Sequence, residues 1–410
     1  MKPMLFTVFA MFASLAAWAG GLDRVDGLGA KALGMGGAYN AVAGDGSALY
    51  YNVAGLTQAE SDYVQMGTDL IFPRFNFERS DGTGLESDFS IFPMPMFMLV
   101  NRLSEKSVGT VGTYAPFGLG VDNPNDQRHG LQYQKSKLGL INLTCAVAYE
   151  LVEDKLSIGA GIDIASGQLV YNSVFHQLGF GIDPVTMKTS ADGYATGFGY
   201  RLGLRWQITD SLAWGLSYSS PVKVKMEGET EIALFRWPLG RDHFTTDVTF
   251  PARFGTGFEW WVGPKLKLAL DANYYDYRRL GRIAFDFDHL PTISQKMLLE
   301  NNYSFHLGAE EWLTKDLCVR AGLAWLKCSI PESTTNPIMA DGDGWGATIG
   351  LGYTKKDWTF DLAYNYYWAK RQVEPTWNRL APGDYKMDGH ILSAAVTYRF
   401  GREKKDAAAQ

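Results

Sequence analysis

Apolar and polar residues alternate with a period of two along most of this chain. The clearest stretch runs from Tyr194 to Gln207. Tyr194, Thr196, Phe198, Tyr200, Leu202, Leu204 and Trp206 share one face, and Ala195, Gly197, Gly199, Arg201, Gly203, Arg205 and Gln207 share the other. That is the period of a strand with one apolar face, which a helix cannot use. The run is longer than the usual globular strand of about five or six residues. It is long enough for a tilted strand to cross a bilayer, which takes about 9–11 residues. The pattern returns in Phe250–Trp260, Leu266–Tyr274, Tyr303–Ala309, Leu317–Trp325, Trp345–Tyr353, Trp358–Trp368 and Leu392–Phe400. Fourteen strands are predicted, near 61–78, 88–103, 106–116, 131–152, 154–176, 190–208, 211–228, 243–262, 264–281, 299–314, 316–328, 343–355, 357–373 and 387–400.

Short and long connections alternate between these runs. Glu153-Asp154, Thr209-Asp210, Gly263-Pro264, Lys315 and Lys355-Lys356-Asp357 read as tight turns at one end. The stretches 117–130, 177–189, 229–242, 282–298, 329–342 and 374–386 read as long loops at the other. This is the rhythm of an up-and-down antiparallel barrel, and an even strand number suits a membrane barrel. Aromatic residues gather at the ends of the apolar faces, where the membrane interfaces would lie.

One stretch breaks the pattern. Lys31–Leu56, KALGMGGAYNAVAGDGSALYYNVAGL, is rich in Gly and Ala and unlike anything downstream. Gly34-Met35-Gly36-Gly37 permits tight backbone turns, Asp45-Gly46-Ser47 offers cap chemistry to a short helix at Ala48–Val53, and Gly55 suits its end. Residues 20–58 are therefore read as a plug inside a barrel formed by 59–400, with 401–410 as a polar tail. Residues 1–19 read as a secretory signal: Lys2, an apolar centre from Met4 to Ala16, and the small-x-small site Ala17-Trp18-Ala19.

Composition agrees. The 410 residues include 45 Gly, 12 Trp and 21 Tyr, with 20% charged residues. After the signal there is no apolar run of the length a membrane helix needs, about 18 residues. The net charge of −6 is spread without a basic patch, which argues against nucleic acid as a partner. Cys145, Cys318 and Cys328 lack metal-ligand spacing, and pairing of Cys318 with Cys328 is left open.

No catalytic constellation is recognisable. The six His are dispersed, and Gly-x-Ser-x-Gly, His-Glu-x-x-His and phosphate-loop patterns are absent. The chain is read as a non-enzyme without cofactor or metal. Parity turns Arg201, Arg205, Arg253, Glu259, Asp271, His306, Glu310, Arg320, Asp361 and Arg399 toward the lumen. Two accounts stand: a charge ladder that hydrogen-bonds the plug, or a ligand-carboxylate site built on Arg201 and Arg253. The long-loop end supplies apolar candidates for ligand capture in Phe117, Leu119 and Val121, and in Phe175, Leu178, Phe180 and Ile182.

The Lys31–Leu56 stretch, the segment Tyr114-Ala115-Pro116-Phe117-Gly118-Leu119, and Arg320–Trp325 followed by Ile330-Pro331 together resemble the FadL-type outer-membrane transporters of long-chain fatty acids and aromatic hydrocarbons. The resemblance implies a fourteen-stranded outer-membrane barrel plugged by an N-terminal hatch. Hydrophobic ligands would be captured outside, bound in the lumen and released sideways through a gap at a kinked third strand. It places the hatch motif at Asn52-Val53-Ala54 with Gly55, close to that strand, with Val53 where the family carries Pro. The kinked strand falls near 106–116, with Gly109 and Gly112 as the residues expected to bend it. The expected partners are hydrophobic small molecules and outer-membrane lipid, for a monomeric chain. The alternative is an outer-membrane barrel without transport, serving as a structural or secretion and assembly partner.

Overall fold

The computed structural model describes residues 27–403, apart from 43, 83, 123–130, 180–181, 235–236, 290–291, 297, 336–340 and 377–381. The signal segment, the start of the hatch, Phe180 and the tail after 403 lie outside the described residues.

The chain forms a closed, fully antiparallel barrel of fourteen strands. They are β1 (Ser61–Glu78), β2 (Phe92–Arg102), β3 (Ser107–Asp122), β4 (Leu131–Val152), β5 (Leu156–Gly179) and β6 (Ile182–Thr209). Then come β7 (Leu212–Ser219 and Val222–Leu234), β8 (Trp237–Phe250 and Arg253–Val262), β9 (Leu266–Tyr275) and β10 (Asn302–Trp312). The last four are β11 (Leu317–Leu326), β12 (Gly344–Lys355), β13 (Trp358–Val373) and β14 (Gly383–Glu403), which pairs with β1 from Ser61↔Glu403 to Glu78↔Asp384 and closes the wall. Pro221 and Pro251 stand in or beside the interruptions of β7 and β8, since Pro cannot donate to a ladder.

The tight turns all lie at one end. Asp154, Lys356 and Gly263 take left-handed backbone there, with φ of 52°, 53° and 75°. The opposite end differs from the expectation of loops. Residues 177–189 and 229–242 are largely strand, because β5, β6, β7 and β8 run on into long paired hairpins. At about 3.3 Å per residue, the 28 residues of β6 reach about 90 Å, far more than a bilayer needs. The expected loop 282–298 holds a 3-10 turn (Tyr277–Leu280) just before it and a small hairpin, Arg282–Phe287 with Ile293–Lys296.

The outward faces carry the apolar belt that parity predicts. Ile162 is 62% exposed, Phe198 72% and Ile349 63%, while the positions beside them on the same strands are buried or half-buried. An exposed apolar band of this extent is the surface that faces lipid. The core is therefore inside out: its interior holds residues 27–59, almost all buried. This hatch consists of α1 (Ala30–Gly34), α2 (Ala48–Tyr51) and a 3-10 helix (Val53–Gln58) joined by turns. Helices this short are not stable alone; the barrel wall supplies their packing.

Candidate functional site

The hatch meets the wall through glycine. Gly36 has φ +64°, and a Cβ there would lie 2.8 Å from the backbone N of Leu323. Only a residue without a side chain lets these two backbones touch. On the far side, Gly159 of β5 and Gly203 of β6 leave a cradle into which Val53 and Ala54 fit, with a Cβ at Gly159 lying 2.7 Å from Ala54 N.

Hydrogen bonds then fix the hatch in place. Both backbone N–H groups of Tyr39 and Asn40 donate to Asp271 Oδ2, at 2.7 and 2.6 Å. His306 Nδ1 donates to Gly36 O at 2.6 Å, which leaves its Nε2 to accept from the Ser304 hydroxyl at 2.8 Å. Thr348 donates to Gly34 O and Arg205 Nε to Ala41 O. Asn52 Nδ2 bridges Asn40 O at 2.7 Å and Leu204 O of β6 at 2.9 Å. Asp45 accepts from Tyr39 Oη, from Ser47 N and Oγ, and from Gln65 Nε2 of β1. The expected cap chemistry thus takes another form: Ser47 makes no side-chain cap, and the Asp45 carboxylate gathers the turn before α2.

The lumenal charges predicted from parity turn inward: five join an ion-pair belt, Arg201 pairs with Asp163, Arg253, Asp271 and His306 hydrogen-bond the hatch, and Arg399 is half-buried and donates to Thr359 Oγ1. Arg205, Glu259, Lys267, Glu310, Arg320 and Asp361 form one alternating chain across β6, β8, β9, β10, β11 and β13, with N···O distances of 3.0, 3.5, 3.2, 2.6 and 2.6 Å. Every member is buried. Isolated buried charge costs far more than paired charge, so this belt is self-consistent as a wall lining.

Arg201 and Arg253 belong to the same scheme. Arg201 Nε bonds both Asp163 oxygens at 2.9 Å and its Nη1 donates to Tyr50 O. Arg253 donates to Asn40 Oδ1, Asn273 Oδ1 and Tyr51 O. These contacts are all to protein acceptors. They fit the charge-ladder account, in which the pair fastens the hatch.

Val53 and Ala54 lie in the glycine cradle of β5 and β6, and the Val53–Gln58 turn that holds them also adjoins β4 and the third strand. α2 faces β3 as well: Leu49 would touch a Cβ placed at Gly112, and the Tyr50 ring lies 5.8 Å from that of Tyr114. Gly109 and Gly112 themselves sit in regular pairing, opposite Asn101 and Met98 on one side and Val147 and Thr144 on the other. The irregularity in β3 comes later. Its register with β4 shifts between Tyr114 and Phe117, where Ala115 and Pro116 face the single residue Ile141. This is a β-bulge, and it turns both Tyr114 and Phe117 inward despite their spacing of three.

The bulge coincides with an unpaired stretch of wall. Pairing of β2 with β3 runs only from Arg102↔Val108 to Phe97↔Thr113. Farther up, Phe92–Met96 pairs with β1 alone and β3 with β4 alone, among the described residues. The inward face of β2 here is Phe92, Met94, Met96 and Met98, all buried against the hatch. Met96 lies against Gly29, and Met98 against Gly46 and Gly112.

Above the hatch, toward the long hairpins, a second apolar cluster fills the lumen. It contains Leu140, Val222, Val224, Phe244, Phe250 and Tyr277 among others, with Phe117 packed on it and its ring 4.9 Å from that of Phe250. Ala115 belongs to the hatch cluster and Phe117 to the upper one, so the bulge joins the two. Of the apolar capture candidates, Phe117 is in the lumen. The side chains of Leu119, Val121, Phe175, Leu178 and Ile182 lie outside the described residues, as does Phe180. The three Cys are free: Cys145 on the outer face, Cys318 in the lumen and Cys328 at the hairpin end of β11.

Comparison with known proteins adds to this geometry. The family profile described as "Outer membrane protein transport protein (OMPP1/FadL/TodX)" matches residues 10–400. The long-chain fatty acid transport protein of Escherichia coli O6:H1 is 22% identical over 409 residues, covering 88% of this chain and 91% of that protein. The crystal structure of a Pseudomonas aeruginosa FadL homologue superposes with a TM-score of 0.78 at 17% identity, over 94% of this chain and all of that one. That of the P. putida toluene transporter TodX gives 0.78 at 18%, over 93% of this chain and all of that one. At these identities the structural likeness is one of fold.

Proposed function

The chain belongs to the OMPP1/FadL/TodX family of outer-membrane transport proteins, and from that premise we propose that it carries hydrophobic small molecules through a plugged barrel and releases them sideways into the membrane. Its place is the bacterial outer membrane. The short-turn end then faces the periplasm and the long hairpins face outward. Cargo of the kind named for its relatives, long-chain fatty acids or toluene, is apolar and shares the same wall chemistry. No bond is made or broken in such passage. The driving force is transfer of apolar surface out of water, about 25 cal/mol per Å².

The observation that carries this reading is the bulge at Ala115-Pro116. It lies where the upper apolar cluster, the methionine face of β2 and the unpaired edge of the wall adjoin. Straight passage down the axis runs instead into the hatch and the buried ion-pair belt. An apolar molecule gains nothing by displacing paired charges, so the sideways exit has the smaller barrier. Asn52, Val53, Ala54 and Gly55 act as the fixed pivot of the hatch, held in the Gly159 and Gly203 cradle, and α2 acts as its gating face.

The test is uptake of a hydrophobic probe by cells carrying Phe117→Asp. A charge on the apolar route should cost about 1–3 kcal/mol, or about fivefold to a hundredfold in uptake, with the folded barrel still present in the outer membrane. Uptake equal to that of the unaltered chain for every hydrophobic probe would sink the proposed route.

A further inference from the structure

At the outer end the dipeptide Asp-His occurs twice: Asp242-His243 in β8, followed by Phe244, and Asp288-His289, preceded by Phe287. The two segments run antiparallel, with Phe244 opposite Phe287 and Thr245 opposite Asp286. Each His thereby faces the other segment's Asp. His289 Nδ1 lies 3.0 Å from Asp242 Oδ1, and the His289 backbone N–H donates to Asp242 Oδ2 at 3.0 Å. His243 Nδ1 lies 3.8 Å from Asp288 Oδ2, and Asp288 N donates to His243 O at 3.1 Å. The Asp242 side chain is only 5% exposed, whereas that of His289 is 85% exposed.

The same strand ends carry aromatic residues over the lumen. Phe285 and Phe287 lie 5.5 and 6.3 Å from the fully buried ring of Phe244, which is part of the upper apolar cluster. The crossed pairs thus sit where residues 282–289 pack on that cluster through Ile283, Phe285 and Phe287.

We propose that the His289–Asp242 pair, braced by the backbone bond from Asp288 to His243, forms a pH-sensitive clasp that holds residues 282–289 down on the upper apolar cluster, more firmly in acid than in alkali. The clasp is a property of this segment whatever the barrel carries; only its effect on traffic rests on the uptake reading. His is the one side chain whose ordinary charge change falls between about pH 5 and 8. The hydrogen bond to Asp242, then the charge of Asp242 and that of Asp288, raise the His289 imidazole above its ordinary value against a small opposing effect of burial. A group with a raised value in the folded state contributes fully below its unfolded value, and the contribution is lost as pH rises through the raised one. The neighbouring charges are Glu229 opposite His243, Glu227 bound to Lys225, Arg241 on the same strand, and Asp286 bonded to Thr292. None of them is an imidazole.

Hydrogen exchange of the full chain in lipid vesicles tests this. Amide protection across 282–289, corrected for the intrinsic rate, should fall about twofold to fivefold between about pH 5.5 and about pH 8, the range an exposed ion pair commands. The double variant His243→Gln, His289→Gln keeps hydrogen-bonding side chains without a titrating charge, and should give the same protection at both pH values. Amides of β11 and β12 should respond to neither change. Equal pH dependence in the double variant, or none in the unaltered chain, would overturn the clasp.

Discussion

The hatch is held in two different ways on its two sides. Toward β6 and β8–β12 it is fixed by oriented hydrogen bonds to buried groups: Asp271, Arg253, His306, Arg205 and Thr348. Toward β2 and β3 it rests on Met94, Met96 and Met98 and on the Tyr50–Tyr114 contact. Hydrogen bonds to charged groups demand one geometry, whereas unbranched thioethers repack at small cost. The hatch is therefore positioned by oriented bonds on one wall and by apolar packing on the other, and the latter wall is the one that is incompletely paired. A plug fastened equally all round would have to break its charged contacts before anything passed.

Five variants would break or sharpen this contrast. The largest effect belongs to Glu310→Ala, which leaves Lys267 and Arg320 short of a partner in the buried belt. A loss of about 3–5 kcal/mol is expected, read as the thermal unfolding of the folded barrel in detergent. Lys223→Ala, which breaks an exposed pair with Asp247, should cost no more than about 1 kcal/mol. Similar losses for the two would refute the belt as a structural wall. Next comes Asp271→Ala, which removes the acceptor of two backbone N–H groups. About 1.5–3 kcal/mol is expected, appearing as faster hydrogen exchange over 34–42 while the strands stay protected. Gly203→Ala should displace the Val53–Gln58 turn at about 1–3 kcal/mol, and exchange at 52–58 would report it. Smallest is Met96→Leu with Met98→Leu, each expected below about 1.5 kcal/mol with the hatch still in place. A large loss there would mean that the methionine wall is as exacting as the charged one.

The wall was legible in the sequence because lipid on one side and a packed lumen on the other impose strict alternation, as in Tyr194–Gln207. Parity alone put Arg320, Glu310 and Asp361 inside. It did not reveal their partners, which depend on register across six strands. Arg201 and Arg253 were open to a ligand role for that reason: facing inward is visible in sequence, being already bonded is not. The outer hairpins were misread as loops since strands beyond the bilayer have no lipid-facing side to keep apolar. Lys188-Thr189-Ser190 is polar at successive positions, yet it lies within β6. The bend in β3 was sought at glycines, but the signal was Pro116, which cannot donate and is at home only at an edge or bulge.

The central claim is that cargo leaves through the wall at the β3 bulge. Deleting Pro116 removes the extra residue, restores one-to-one register with β4 and keeps Tyr114 and Phe117 inward, which lets β3 pair on along Phe92–Met96. Uptake of a hydrophobic probe by cells carrying this deletion should fall to that of cells without the protein, with the barrel folded and in the outer membrane. Uptake undiminished in the folded deletion variant would contradict the sideways route.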